Sequence, residues 1–279
     1  MIRGACPVCR SRAMSAFRVL GDGPDGYGVN CCRLCGHASR IVRPTHAANL
    51  ELQLAEFERQ AVPSHARVKW PARVALVRQT VERLAGSSGK ILDIGCGTGL
   101  WLSAFGPKWE KFGVELSPRA AEIAARATGA KVFCGPIEAI PPSGEKMDVV
   151  TALAIVEHLY EPSLLLEVCW DRLKPGGLLV VMSGDRESTV ARRFGSEWPM
   201  YVPKEHLHFF SRRSLVHMLN VYGFRPVRIE WRPMVYPARS PGSLRLPANL
   251  LRWAAKGLEL SGMIRTPLFD HCYVYARRP

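Results

Sequence analysis

Residues 91–99 read ILDIGCGTG, and the rest of the chain is best read outward from them. Lys90 to Ile94 is a short apolar run of the kind that forms a buried strand, and glycines at 95, 97 and 99 leave three backbone positions bare. Where such a turn follows a strand, a ligand can lie directly on the main chain at the carboxyl edge of a sheet. A dinucleotide fingerprint would need its third glycine at position 100, which is Leu100. Glu115 closes the next apolar run, KFGVEL (111–116), and a carboxylate there can accept hydrogen bonds from both hydroxyls of a ribose.

On the carboxyl side the rhythm is strand, turn, helix. A helix is expected from about Leu100. SPRAAEIAARATG follows with Ser117 as N-cap and Pro118 at the first helical position. KVFCG, MDVVTAL (147–153) and GLLVVMS (177–183) read as further strands, with PSLLLEVCWDRL as a helix between the last two. SRRSLVHMLNVYG (211–223) is another helix, and FRPVRIEWR and HCYVYARR are two final strands. Alternating strands and helices predict an α/β, doubly wound parallel sheet. Before it, the spacing of Leu50, Leu54 and Phe57, and of Val74, Val77, Val81 and Leu84, predicts two helices. The expected organisation is a Cys-rich module over 1–44, a helical linker or lid over 45–85, and a main domain over 86–279 with an insertion at about 237–269.

At these residues the sequence resembles the class I S-adenosylmethionine-dependent methyltransferases. DIGCGTG is close to their first motif, VEL to their second, and LKPGG before the fifth strand is a further likeness. The resemblance covers about 88 to 231. It implies a Rossmann-like seven-stranded methyltransferase sheet whose last strand, here 271–278, inserts antiparallel. It also implies that Asp93, Gly95, Cys96, Gly97 and Gly99 hold the methionine portion of S-adenosylmethionine and Glu115 its ribose, with Leu116 and Ala152 beside them. Gly135-Pro136 stands where many members have Gly-Asp, so Ile137 and Glu138 are adenine neighbours by position only. AIVEHLYEP (154–162) resembles the stretch after the fourth strand of quinone O-methyltransferases, some of which add an acid three residues before the Glu and bind a divalent metal. Here that position is Ala154. His158 is expected to line the cofactor pocket or to act as a base. WPMYVPKEHLHFFSRRSL (198–215) resembles a broad bacterial branch that often carries an N-terminal Cys-rich module. In it His206 is the preferred catalytic base, since neutral imidazole can take a proton from an acceptor hydroxyl near pH 7. If the segment is extended, His206 and His208 point to opposite sides.

Positions 30–37, NCCRLCGH, pair with CPVC (6–9) to make two CxxC knuckles. Tetrahedral Zn²⁺ takes four soft ligands, and two such turns supply them, so Cys6, Cys9, Cys32 and Cys35 are expected to hold a structural zinc in a small zinc ribbon. Cys31 is expected as a bystander, His37 as a substitute for Cys35 only at the expense of the spacing, and Cys96, Cys134, Cys169 and Cys272 as buried core cysteines. The N-terminus has no apolar leader and the chain no apolar run of 18 residues, which predicts a cytoplasmic protein without a membrane span.

The formal charge is +14 and unevenly placed. Residues 1–46 carry seven Arg against two acidic residues, 47–184 balance, and 185–279 carry 16 basic against seven acidic. The ends therefore suit an anionic partner. The favoured reading is O-methylation of a small-molecule, sugar or glycan-type acceptor, with the ribbon as a docking wall beside it. RNA base methylation through a nucleic-acid-binding ribbon is the alternative, although Phe17 and Tyr27 are few aromatics for stacking bases. A non-catalytic cofactor-binding protein is a third reading. Residues 246–260, with six large apolar side chains among Arg245, Arg252 and Lys256, suit core packing or peripheral contact with an anionic inner-membrane surface.

Overall fold

The computed structural model describes residues 5–20, 27–60, 71–142, 144–201, 205–232 and 269–279. The insertion and its amphipathic stretch 246–260 lie outside the described residues, as does the turn cluster 21–26.

The main sheet has seven strands. They are β4 (Gly89–Ile94), β5 (Trp109–Glu115), β6 (Lys131–Cys134), β7 (Met147–Leu153), β8 (Leu173–Gly184), β10 (Arg225–Arg232) and β11 (His271–Arg277), in the spatial order β10-β11-β8-β7-β4-β5-β6. β4 to β8 run parallel, and β11 inserts antiparallel between β8 and β10. The order reverses beside β4, so the carboxyl ends of β4, β5 and β7 open a crevice where ligands of such sheets bind.

Alternation along the strands builds two core layers, because successive side chains point to opposite faces. Leu92, Ile94, Val150, Ala152, Leu179, Val181, Cys272 and Val274 face α4 (Pro162–Arg172) and α6 (Arg212–Val221) through Leu165, Leu166, Leu215 and Met218. Ile91, Val149, Leu178, Val180, Tyr273 and Tyr275 face α2 (Pro71–Ala85) and a herringbone of Trp101, Phe105 and Trp109. The helix expected from Leu100 is one short 3₁₀ turn, Leu102–Ala104, because Gly106-Pro107 follows at once and Pro107 carries no N–H to continue it. α3 (Pro118–Thr128) begins as read, Ser117 Oγ accepting from Ala120 N at 3.0 Å. Cys134 ends the edge strand β6 exposed rather than buried, since no strand covers that edge.

A second sheet takes β1 (Met14–Leu20), β2 (Tyr27–Cys32) and β3 (Ala38–Arg40) from the Cys-rich region and β9 (His208–Phe209) from the far side of the chain. Its apolar face, Val29 and Ala38, packs on Trp198, Met200, Tyr201 and Phe209. The ribbon thus shares its core with the main domain instead of standing apart.

One buried charge cluster ties β10 to its neighbours. Glu230 is fully buried and accepts from Arg232 at 2.7 Å, from Arg228, from Tyr275 Oη at 3.2 Å and from Thr80 of α2 at 3.4 Å. Burial alone would raise its pKa, but Arg232 and Arg228 hold the carboxyl below its usual range. Glu230→Leu removes the carboxylate that the buried Arg232 and Arg228 share and should destabilise the fold by about 3–5 kcal/mol. Urea unfolding checks this, and Glu230→Gln should lose less.

Candidate functional site

β4 delivers the chain to Gly95 at φ +75°, followed by Gly97 at +53° and Gly99 at +83°. The three glycines answer different needs. A Cβ on Gly95 would lie 2.0 Å from Ile155 Cδ1, and one on Gly99 would press on Ala124 of α3. Gly97 has nothing within 4 Å and faces open space. The turn is fixed by Gly95 N and Cys96 N donating to Val114 O at 2.8 and 3.0 Å.

Glu115, at the end of β5, accepts from Gly97 N through one oxygen and from Ser117 N through the other, both at 2.8 Å. Burial raises its pKa and these main-chain donors oppose the rise. Each oxygen keeps a second lone pair for a ligand donor. Asp93 lies beneath the turn, accepting from Thr151 Oγ1 at 2.6 Å while Trp101 Nε1 donates to the same hydroxyl at 3.0 Å. Burial pushes the Asp93 carboxyl up to about 7, against the Thr151 hydrogen bond and with a contribution from Glu115.

A cleft with about 500 Å³ of open space, its mouth included, lies over this edge. Gly95, Glu115, Leu116, Ile137 and Glu138 line it, as expected positions do for a bound nucleoside. Asp93, Cys96, Gly97, Gly99 and Ala152 do not line it. Ala152 is buried within β7, and Cys96 is buried under the turn, where burial pushes its thiol up. The facing wall is α1 (His46–Gln60), through Asn49, Leu50, Gln53 and Phe57. Its ends are latched by His46 Nε2 to Glu138 Oε1 at 3.1 Å and by Ser117 Oγ to Glu58. Asn49 and Gln53 also donate to His158 O at 3.1 and 2.8 Å.

Beyond β7, Ala154 sits at φ +58°, a strained conformation for a residue with a Cβ. Glu157, His158 and His206 then converge, with their ligating atoms all within 4.8 Å and all three buried. Ser183 Oγ donates to Glu157 Oε2 at 3.0 Å, while among the described residues Glu157 Oε1 and His158 Nδ1 have no hydrogen-bond partner. Burial lifts Glu157 to about 7, drops His206 to about 4 and pulls His158 well below its usual value. His206 Nδ1 donates to Met200 O at 2.8 Å, which leaves Nε2 as its acceptor nitrogen. This trio can exchange a proton or hold a divalent cation, to which Ala154 adds no ligand. Neither imidazole lines the cleft. The side chain that sequence reasoning missed is Glu157, and its adjacency to His158 was the available signal.

Cys6, Cys9, Cys32 and Cys35 come together, with Sγ–Sγ distances of 3.6 Å for Cys6 to Cys35 and 3.5 Å for Cys9 to Cys32. A regular tetrahedron with Zn–S bonds of ~2.3 Å has edges of ~3.8 Å, so the four sulfurs fit a zinc ion. Cys31 points elsewhere, its sulfur 3.3 Å from Arg186 Nη2. His37 stands outside the cage and its Nε2 lies 3.1 Å from His208 Nδ1.

The family profile described as a methyltransferase domain matches residues 68–229, more than half of the chain, and the protein belongs to this methyltransferase family. A ubiquinone biosynthesis O-methyltransferase of Cereibacter sphaeroides is 32% identical over 152 residues, covering 50% of this chain and 61% of that protein. The chain thus spans about three fifths of that relative's length. A solved S-adenosylmethionine-dependent methyltransferase of Thermotoga maritima superposes with TM-score 0.53 at 22% identity over 81% of this chain and 99% of its own. The N-methyltransferase NodS of Bradyrhizobium japonicum, solved with S-adenosylhomocysteine, gives 0.52 at 15% over 81% and 98%. The fold is that of the S-adenosylmethionine-dependent methyltransferases. Among the described residues no helix is long and apolar enough to cross a membrane.

The Asp93 environment has a pH signature. Folding raises its pKa from 3.8 to about 7, so its contribution to stability is full below about pH 4 and declines as pH rises to 7. At one pKa unit per ~1.36 kcal/mol the decline is on the order of 2–4 kcal/mol. Asp93→Asn should remove it, leaving the ligand-free protein more stable than wild type at pH 8 by denaturant titration.

Proposed function

We propose that the protein transfers a methyl group from S-adenosylmethionine to the oxygen of a small-molecule, sugar or glycan-type acceptor. The observation that carries this reading is the Glu115 carboxylate, held by Gly97 N and Ser117 N in a cleft floored by the bare Gly95 backbone. That is a ribose clamp beside a turn that leaves room for a ligand on the main chain. The similarity to an enzyme named for ubiquinone O-methylation favours a small acceptor and oxygen.

When bound, S-adenosylmethionine supplies a methyl group already activated on a sulfonium. The chain's residues therefore have to hold, orient and keep water out, and positioning alone can be worth about 7–11 kcal/mol of the barrier. Glu115 holds the ribose, the turn that begins at Gly95 holds the methionine portion, Leu116 and Ile137 give the cleft apolar walls, and α1 covers it. Glu157, His158 and His206 lie on the other side of Ile155 in sequence and supply the acceptor side. There a neutral His206, with Nδ1 fixed on Met200 O, offers Nε2 to a hydroxyl proton. Glu157, poised near 7 beside it, can share that proton.

The Cys6, Cys9, Cys32 and Cys35 cage is proposed as a structural Zn²⁺ site. All four positions are taken by sulfur, so it offers no open coordination position for chemistry. RNA binding through the ribbon is disfavoured because its sheet is spent on the main domain through β9, Trp198 and Tyr201.

Calorimetry with S-adenosylhomocysteine tests the cofactor. Wild type should bind one equivalent, and Glu115→Ala should bind at least about tenfold more weakly, as expected for lost charged hydrogen bonds. No binding by wild type sinks the reading. Labelled methyl transfer into small-molecule extract, glycan and total RNA then separates the acceptors, with label expected outside RNA. For the cage, metal analysis should find one zinc per chain in wild type and less than half of that in Cys6→Ser.

A further inference from the structure

His37 follows the last cage cysteine by two residues, and its carbonyl accepts from Cys32 N at 2.8 Å, closing the second knuckle. Its ring is wholly buried, packs on Phe210 with centroids 4.6 Å apart, and shares a hydrogen bond with His208 across 171 residues of sequence. Among the described residues the other ring nitrogen of His37, Nδ1, has no hydrogen-bond partner. The bond between the rings is what ties His37 to the segment that carries His208.

His208 is also the hinge of the acceptor side. Its main-chain N–H and that of Leu207 both donate to Glu157 O, at 3.1 and 2.9 Å. Residue 206, two positions back on the same segment, puts its ring against His158 at a centroid distance of 4.6 Å. On the ribbon side, β3 pairs Ser39 with His208 and Ala38 with Phe209, and Arg40 N donates to Leu207 O at 3.0 Å. A continuous path of bonds thus runs from a cage cysteine to His37, to His208, and through the Glu157 backbone to the Glu157–His158–His206 trio. A two-residue strand such as β9 has few hydrogen bonds of its own, so its place depends on what it docks against.

We propose that His37 is a positioning residue that carries the state of the Cys6–Cys9–Cys32–Cys35 cage into residues 205–210, so that zinc occupancy sets the geometry of the acceptor side. The proposal rests on the acceptor reading above for its consequence, but its physical content, cage to segment, is separate. Because coupling between sites is reciprocal, whatever immobilises 205–210 also retains zinc.

Hydrogen exchange read by mass spectrometry tests this on the full chain in three forms: zinc-loaded wild type, wild type stripped with a chelator, and zinc-loaded His37→Phe. A fourth form, zinc-loaded His37→Gln, places an amide nitrogen near the lost Nε2. Stripping should speed exchange of the 205–210 amides by about tenfold or more while α3 and β4 keep their protection. His37→Phe should do the same with one zinc still bound, and His37→Gln should restore protection. S-adenosylhomocysteine affinity should stay within about twofold of wild type in every form, since the cofactor cleft lies on other elements. Unchanged 205–210 exchange on stripping overturns the coupling. Fast exchange in both His37 variants, or in neither, overturns the part given to its hydrogen bond. Should His37→Phe fail to fold, the stripped wild type and His37→Gln still decide. A wild type that shows the coupling but binds no S-adenosylhomocysteine leaves this inference standing and removes the functional reading instead.

Discussion

Gly95 leaves β4 at φ +75° with Ile155 packed where its side chain would be, and the carboxyl edge of the sheet is arranged around that missing atom. A Cβ there would strike Ile155 2.0 Å away, and Ile155 is part of the segment that starts with Ala154 in a left-handed conformation. The first turn after β4 and the first turn after β7 are therefore fitted to each other. One side of this contact holds Glu115 and the cofactor cleft, and the other leads to Glu157 and His158. A bulkier residue at 95 would push the two halves of the site apart, which is a stronger reason for glycine than turn geometry alone.

The same edge carries groups that the fold would be more stable without. Asp93 and Glu157 are wholly buried carboxyls, each lifted to about 7 because burial penalises their charged forms. Among the described residues each has a single side-chain donor, Thr151 for Asp93 and Ser183 for Glu157. Elsewhere the chain treats buried charge differently. Glu230 is given two arginines, a tyrosine and a threonine, and its carboxyl stays below its usual range. Under-satisfied acids near the carboxyl edge of the sheet, with a fully satisfied one on β10 at its far side, is the pattern expected where stability has been traded for function.

Much of this was legible because it is local. β4, β5, β7 and β11 announce themselves as apolar runs, the glycine turn and Glu115 by their spacing, and Ser117-Pro118 as a helix start. The four cage cysteines follow from two CxxC knuckles. What could not be read depends on partners remote in sequence. β9 is two residues long and exists because β3 lies beside it. The helix expected at Leu100 stopped after one turn at Gly106-Pro107, where a breaker outweighed the apolar residues before it. Cys134 looked like a core cysteine until β6 proved to be the edge strand. Glu157 belongs to the EHL stretch, but nothing local says that His206, 49 residues on, closes a trio with it and His158.

The ribbon is where local and remote readings meet. Its four sulfurs make a closed set, so it contributes no chemistry of its own, yet its edge strand completes a sheet with a segment of the main domain. Arg186 just past β8 donates to Gly36 O and Arg213 of α6 to Leu34 O, so two further parts of the main domain grip the second knuckle. A module held only to bind a separate partner would keep its surface free. This one is held by three pieces of the main domain, at its second knuckle and along β3. His206, His158 and Glu157 sit on loops rather than on the sheet, and the Leu207 and His208 main-chain donors to Glu157 O join those loops. The small fold at the N-terminus is thereby fastened to the segment that carries His206.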